Sequence, residues 1–403
     1  MKKRKICGAA LLLTGGLLLS GPVPGQAAET TEFQTRPVPE LNKEIPENMV
    51  RFQYDSGLEF EYPDAVRGIY VTGHSAGGPR FDELMQLIEE TDLNAMVVDI
   101  KDDFGKLTYQ PEPGSPFEDI AEPVIKDPRA MLEEMEKKQV YPIARVVVFK
   151  DTTLAQKKPE WSFTRNGQVW ANGGGESFVN PFVKDVWDYN VNIAIEAAKM
   201  GFKEIQFDYV RFPEGFETRD KTLEYSLGDY EDSGQDLVQR RVQAVTDFVA
   251  YAREKLEPYN VDVSVDIFGY SATLPEAPGI GQNFSKISEN VDVISSMIYP
   301  SHWTSYFGIA KPDTEPYRLV REYAKVENEK LAALDTPPTS RPWLQDFTAS
   351  WLGSGNYIRY GKEEIEAQIR ALNDSGIDEF LLWNASNNYT ENVDYTPEQR
   401  EED

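Results

Sequence analysis

The chain is short of cysteine, histidine and positive charge, and each shortage removes a class of chemistry. Of its 403 residues one is a cysteine, Cys7. It precedes an apolar run and is not placed as a lipoprotein cysteine, so the mature chain is expected to have neither disulfide nor thiol chemistry. Two histidines, His74 and His302, nearly exclude a zinc site built on several imidazoles. The acidic run at 99–103 lacks the ligand spacing of a calcium loop, so neither metal nor cofactor is called for. Lys and Arg number 41 against 68 Asp and Glu, a formal net charge of −27. Such acidity argues against nucleic acid or anionic lipid as a partner and suits an exported, soluble protein. The one long apolar run is shorter than the ~20 residues of a membrane span.

What is present starts at the N terminus. Lys2, Lys3, Arg4 and Lys5 precede an apolar run over 6–19, and Gly25-Gln26-Ala27-Ala28 follows. This order reads as the signal peptide of a secreted bacterial protein, spanning 1–28 and cut near Ala27 or Ala28, with no membrane insertion afterwards. Without those four cations the mature charge is about −31. Residues 29–63, rich in Pro, Glu and Asn, read as an N-terminal arm, 64–390 as one domain and 391–403 as an acidic tail.

Within 64–390 two kinds of segment alternate. Strand patterns fall at 66–72, 94–100, 142–149, 204–210, 261–267, 291–299, 341–347 and 379–384. Helical patterns fall at 80–90, 127–138, 182–200, 235–256, 284–289, 315–334 and 362–373. The succession predicts an α/β fold, a (β/α)8 TIM barrel with long βα loops. An open doubly wound sheet is the rival, but no convincing Gly-rich phosphate turn follows the first strand. The acidic loop at 212–234 is long enough for a lid.

The strand at 204–210 sets Ile205, Phe207 and Tyr209 against Gln206 and Asp208, and Pro213 ends the ladder. Asp208 thus stands at the C-terminal end of a buried strand, where barrels of this type place their chemistry. A buried carboxylate is costly unless paired or used; pairing with Arg211 is the plain alternative. Other strand ends carry His74, Asp99, Lys101, Asp266, Tyr299, Gln345, Asp346, Trp383 and Asn384, with Trp303 in a loop and Arg145 inside the third strand. Carboxylates among aromatic rings suit a polysaccharide or oligosaccharide, since glycosidic cleavage uses one carboxyl as acid and another as nucleophile or base. Rings stack on sugar faces, while Asn, Gln and Arg bond hydroxyls. Asp266, one strand after Asp208, makes the natural pair.

The combination of Phe207-Asp208-Tyr209-Val210-Arg211-Phe212-Pro213 with Arg67-Gly68-Ile69-Tyr70, Asp99-Ile100-Lys101-Asp102 and Asp266-Ile267-Phe268-Gly269 resembles an uncharacterised bacterial family of glycosyl hydrolase domains. The resemblance spans roughly 64–390. It implies a TIM barrel distantly similar to α-amylase and α-galactosidase glycosidases. In that pattern the strand-four nucleophile maps onto Asp208, the strand-five acid/base onto Asp266 (Asp here, usually Glu) and a strand-seven carboxylate onto Asp346. The Arg two residues before the nucleophile is Gln206 here. The expected activity is hydrolysis of an extracellular polysaccharide, with Arg211 holding Asp208 ionised and His74, Asp99, Lys101, Tyr299, Trp303, Gln345, Trp383 and Asn384 around the sugar.

Two alternatives stay open. Gly73-His74-Ser75-Ala76-Gly77 matches the G-x-S-x-G nucleophile elbow, which makes a serine esterase with Ser75 and His302 the runner-up. Gly77, Gly78 and Pro79 separate the serine from its helix, against that geometry. A non-catalytic carbohydrate-binding barrel is the third reading.

Overall fold

In the computed structural model, residues 53–397 are described. The signal peptide called at 1–28, the start of the arm and the end of the tail lie outside them. Eight parallel strands form the sheet: β1 Arg67–Val71, β2 Ala95–Lys101, β3 Tyr141–Val147, β4 Glu204–Asp208, β5 Asp262–Phe268, β6 Val293–Met297, β7 Trp343–Gln345 and β8 Phe380–Trp383. Each pairs with its neighbours in order, and β8 pairs with β1, so the sheet closes into a (β/α)8 barrel. Around it lie α1 Arg80–Glu89, α2 Pro128–Lys137, α3 Lys184–Met200, α4 Leu237–Leu256, the short α5 Phe284–Ser288, α6 Pro316–Leu331 and α7 Lys362–Asn373.

Period-two alternation assigns each strand residue to one of two cores. Ile205, Phe207, Val263 and Val265 face outward into the large apolar layer shared with the helices. Val66, Tyr70, Val97, Ile143, Trp343 and Leu381 fill the lumen as a second, smaller cluster. The lumen is tight at Gly68, where a Cβ would come within 2.7 Å of Leu381.

The long loop after β2 is not structureless. It folds back as Leu107–Tyr109, antiparallel to β2, and Ala121–Ile125 pairs beside that. The loop after β4 is tied down by buried Phe212 and Phe216, which pack with Phe163 and Tyr225. At the C terminus the chain does not leave the domain at 391, because Val393 and Tyr395 are buried.

Candidate active site

The ladder between β4 and β5 runs Glu204↔Asp262 to Phe207↔Val265. Carried one residue further it sets Asp208 beside Asp266, both facing the lumen. Each lines a hollow of about 230 Å³ with Arg145, Arg211, Tyr299 and Trp383. Asp208 and Asp266 are buried but reach this space, at 5 % and 2 % exposure.

Arg145 organises the floor. Its Nε and Nη2 donate to Asp208 Oδ2 at 3.0 and 2.6 Å, Nη1 to Asp99 Oδ1 at 2.7 Å, and Nη2 also to Asp103 Oδ1 at 2.9 Å. Tyr70 and Trp383 stack on each other at 4.0 Å, and the guanidinium lies 5.5 Å from each ring. Tyr70 also donates its hydroxyl to Asp99 Oδ2 at 2.5 Å. The second oxygen of Asp208 accepts from the Tyr209 amide at 2.6 Å. Tyr209 adopts φ +54°, a left-handed conformation uncommon for a large residue.

Asp266 has a different setting. Its Oδ1 accepts from the Trp343 indole at 2.7 Å. Burial, then the charge of Asp208, push its carboxyl well above the usual range, outweighing the Trp343 bond and Arg145. Asp99 rises to about 6, mainly through burial. Burial also pushes Asp103 upward, but Arg145 and Lys150 more than offset it, leaving that carboxyl below its ordinary value. Of the two neighbouring acids, one is clamped by a guanidinium and the other is held by a neutral indole in a desolvated corner.

Of the residues expected at the site, Asp208, Asp266, Arg211, Tyr299 and Trp383 meet at this hollow. Asp99 stands behind it on Arg145. Arg211 does not bond Asp208: it donates to Phe212 O and Glu214, between the Tyr209 and Phe268 rings. Lys101 is a correction. A β-bulge between Asp99 and Lys101 reverses its direction, and its ammonium is buried against Asp151 at 2.6 Å and Asn190 at 3.0 Å. Asp346 is another: it accepts from Thr390 Oγ1 and N at 2.7 and 3.1 Å, clamping the C-terminal loop. Asn384 belongs to that clamp, donating to Asp346 O and Asn388 O. Gln345 is spent on Ser301, Asp313 and the Phe347 carbonyl. Trp303 packs on Tyr306, Phe307 and Tyr323 rather than lining the hollow. His74 lies at a second hollow, described below. The serine pair is not made: Ser75 Oγ accepts from Thr72, whereas His302 Nδ1 meets Ser301 Oγ at 3.0 Å.

Sequence reasoning passed over Trp343, and gave Tyr70, Asp103 and Arg145 no role. Arg145 did leave a signal, as the single charge in an apolar strand. Trp343 did not, because its partner lies 77 positions away.

A closed barrel with carboxylates and aromatic rings at the C-terminal ends of its strands has the architecture of the glycoside hydrolases. The chain belongs to the family described as "Putative glycosyl hydrolase domain", whose sequence profile matches residues 68–389. Among solved structures, a hypothetical protein from Ruminiclostridium thermocellum is 33% identical, over 49% of this chain and 96% of that one, with a TM-score of 0.43. The glycoside hydrolase domain of PgaB (BpsB) from Bordetella bronchiseptica is 16% identical over 80% of this chain and 95% of that one, with a TM-score of 0.55. A β-galactosidase from Marinomonas ef1 is 11% identical over 79% of this chain and 54% of that one, with a TM-score of 0.50. Among curated proteins, none matches.

Proposed function

We propose that this protein is a secreted glycosidase that cuts a polysaccharide outside the cell, with Asp208 as nucleophile and Asp266 as acid/base. The observation that carries the reading is the in-register pair at one hollow, with Arg145 on one carboxyl and desolvation on the other. Protonated Asp266 gives its proton to the glycosidic oxygen as the C–O bond breaks. An Asp208 oxygen bonds the anomeric carbon. A water then gives a proton back to Asp266 while its oxygen bonds the anomeric carbon, and the bond from that carbon to Asp208 breaks. Adjacent strands run about 4.8 Å apart, so the two carboxyls can reach the ~5–5.5 Å separation of retaining enzymes. Arg145 and the Tyr209 amide keep Asp208 aimed, and Tyr299 and Trp383 offer ring faces to the sugar.

The test is a screen of purified protein against bacterial and plant polysaccharides, reading new reducing ends. Wild type is expected to release them, and Asp208→Asn to lose about 10³-fold or more in kcat. Undiminished turnover in Asp208→Asn removes the proposal.

A further inference from the structure

Four large apolar side chains stand out as exposed among the described residues, and three of them are aromatic: Phe104 at 61 %, Trp351 at 65 % and Tyr270 at 37 %. All three are in loops that leave the C-terminal ends of barrel strands, β2, β7 and β5 respectively. Phe104 and Trp351 have anchored settings. The Phe104 amide donates to Asp102 Oδ1 at 2.9 Å, and its carbonyl accepts from Thr153 N and Oγ1 at 3.1 and 2.7 Å. Gly105 follows at φ +84°, its Cα packed so close to Asp151 that a Cβ would collide with it. The backbone is therefore pinned while the ring is left in water. Trp351 stacks on Phe347 at 5.8 Å and 21°. Phe347 in turn meets Tyr299 and His302, both of which line the main hollow.

On the far side of that hollow, Asp103 is a shared wall. Beyond it lies the second hollow, about 220 Å³, lined by His74, Asp99 and Thr108 and edged by Phe104. The order across the mouth is thus Phe104, second hollow, Asp103, main hollow, Tyr299, Phe347 and Trp351. The Phe104 ring on its pinned backbone and the Trp351 ring stacked on Phe347 are surfaces prepared for an apolar face, one beyond Asp103 and the other beyond Tyr299.

We infer that this mouth is an extended cleft for a polysaccharide chain. Phe104 with the second hollow receives sugars on one side of the scissile bond, and Trp351 receives them on the other, so that cleavage is internal. The inference rests on the glycosidase reading and adds to it the mode of attack and the residues that hold the chain. The occupant is a neutral or cationic glycan, because Asp99, Asp102 and Glu122 line the second hollow against Lys106, and a net charge of −27 opposes a polyanion.

Two measurements test it. With a polysaccharide that wild type degrades, size-exclusion profiles at early times should show products of intermediate length, whereas release of mono- or disaccharide alone overturns the inference and leaves the glycosidase reading standing. Independently of turnover, Asp208→Asn protein is run in affinity gels containing hydroxyethyl cellulose, glycol chitin or xylan. Retardation is expected in at least one, weakened about two- to tenfold when Trp351→Ala or Phe104→Ala is added. No retardation in any gel, or retardation that neither substitution weakens, overturns the cleft.

Discussion

At each end of the barrel lumen a buried arginine gathers carboxylates, and β4 supplies one to both ends. Asp208, at its C-terminal end, meets Arg145; Glu204, at its N-terminal end, meets Arg341. Arg341 donates to both oxygens of Glu204 at 2.8 and 2.7 Å, to Glu379 at 2.7 Å and to the Tyr62 hydroxyl at 2.8 Å. Tyr62, brought in by the arm, also donates to Glu379 at 2.8 Å. A broader hollow of about 780 Å³ lies near this end, but Glu204 and Arg341 do not line it and are fully buried. The upper cluster differs by two carboxyls and one opening: Arg145 gathers Asp99, Asp103 and Asp208 where Arg341 gathers Glu204 and Glu379, and Asp266 is added. Asp266 stands beside Asp208 without a cation of its own, facing the hollow. A buried ion network that is closed off stabilises or specifies a fold; the same network with an added acid and an open side can move protons.

Substitutions can pull these roles apart. After Asp208→Asn, the largest effect is expected from Asp266→Asn, which should lower kcat by about 10²–10⁴-fold as the proton donor is lost, with the thermal midpoint kept or raised. Equal activity in the variant breaks the comparison. At the other end, Arg341→Met should cost roughly 3–5 kcal/mol in urea unfolding, because Glu204 and Glu379 lose their shared cation in a dry interior. If stability is instead unchanged, the lower cluster is not structural.

A third prediction concerns pH. Asp266 has a raised pKa when folded, so its contribution to stability is complete below the ordinary carboxylate value and is lost as pH rises through the raised one. Asp99 adds a similar loss between about 3.8 and about 6. Relative to wild type, Asp266→Asn should therefore gain stability as pH rises, measured by urea unfolding at acid and neutral pH. For the same reason wild-type kcat should fall on the alkaline side, where Asp266 gives up its proton. A difference that is flat with pH contradicts the assignment. Tyr62→Phe should cost about 1–3 kcal/mol, through the lost hydroxyl bridge. The smallest catalytic effect is expected from Asp346→Asn, with kcat within a few-fold of wild type; a loss comparable to Asp266→Asn would return Asp346 to the catalytic set.

The barrel was readable along the chain because its signal is local. Alternation in β4 and β5 told which residues share a face, and that placed Asp208 and Asp266 on adjacent staves before any contact was known. The site was readable only in part, since a strand end marks position and not direction. Lys101 shows this: simple alternation turns it into the lumen with Asp99, and one bulge turns it out to Asp151. Asp346 shows the other limit, because a carboxylate at a strand end looks the same whether it faces a hollow or the Thr390 clamp.

The sequence by itself determined the eight strands and the seven helices between them and the lumen-facing acids of β4 and β5, all of which depend on neighbours a few positions apart, and the acidic character of the chain, which is composition alone. The tertiary structure alone decided that Arg145, not Arg211, holds Asp208, that Trp343 holds Asp266, and that Tyr62 closes the opposite end. These are contacts between residues 63 to 317 positions apart, or absent between near neighbours. Burial and charge at a point depend on everything packed around it, and no short stretch of sequence records that.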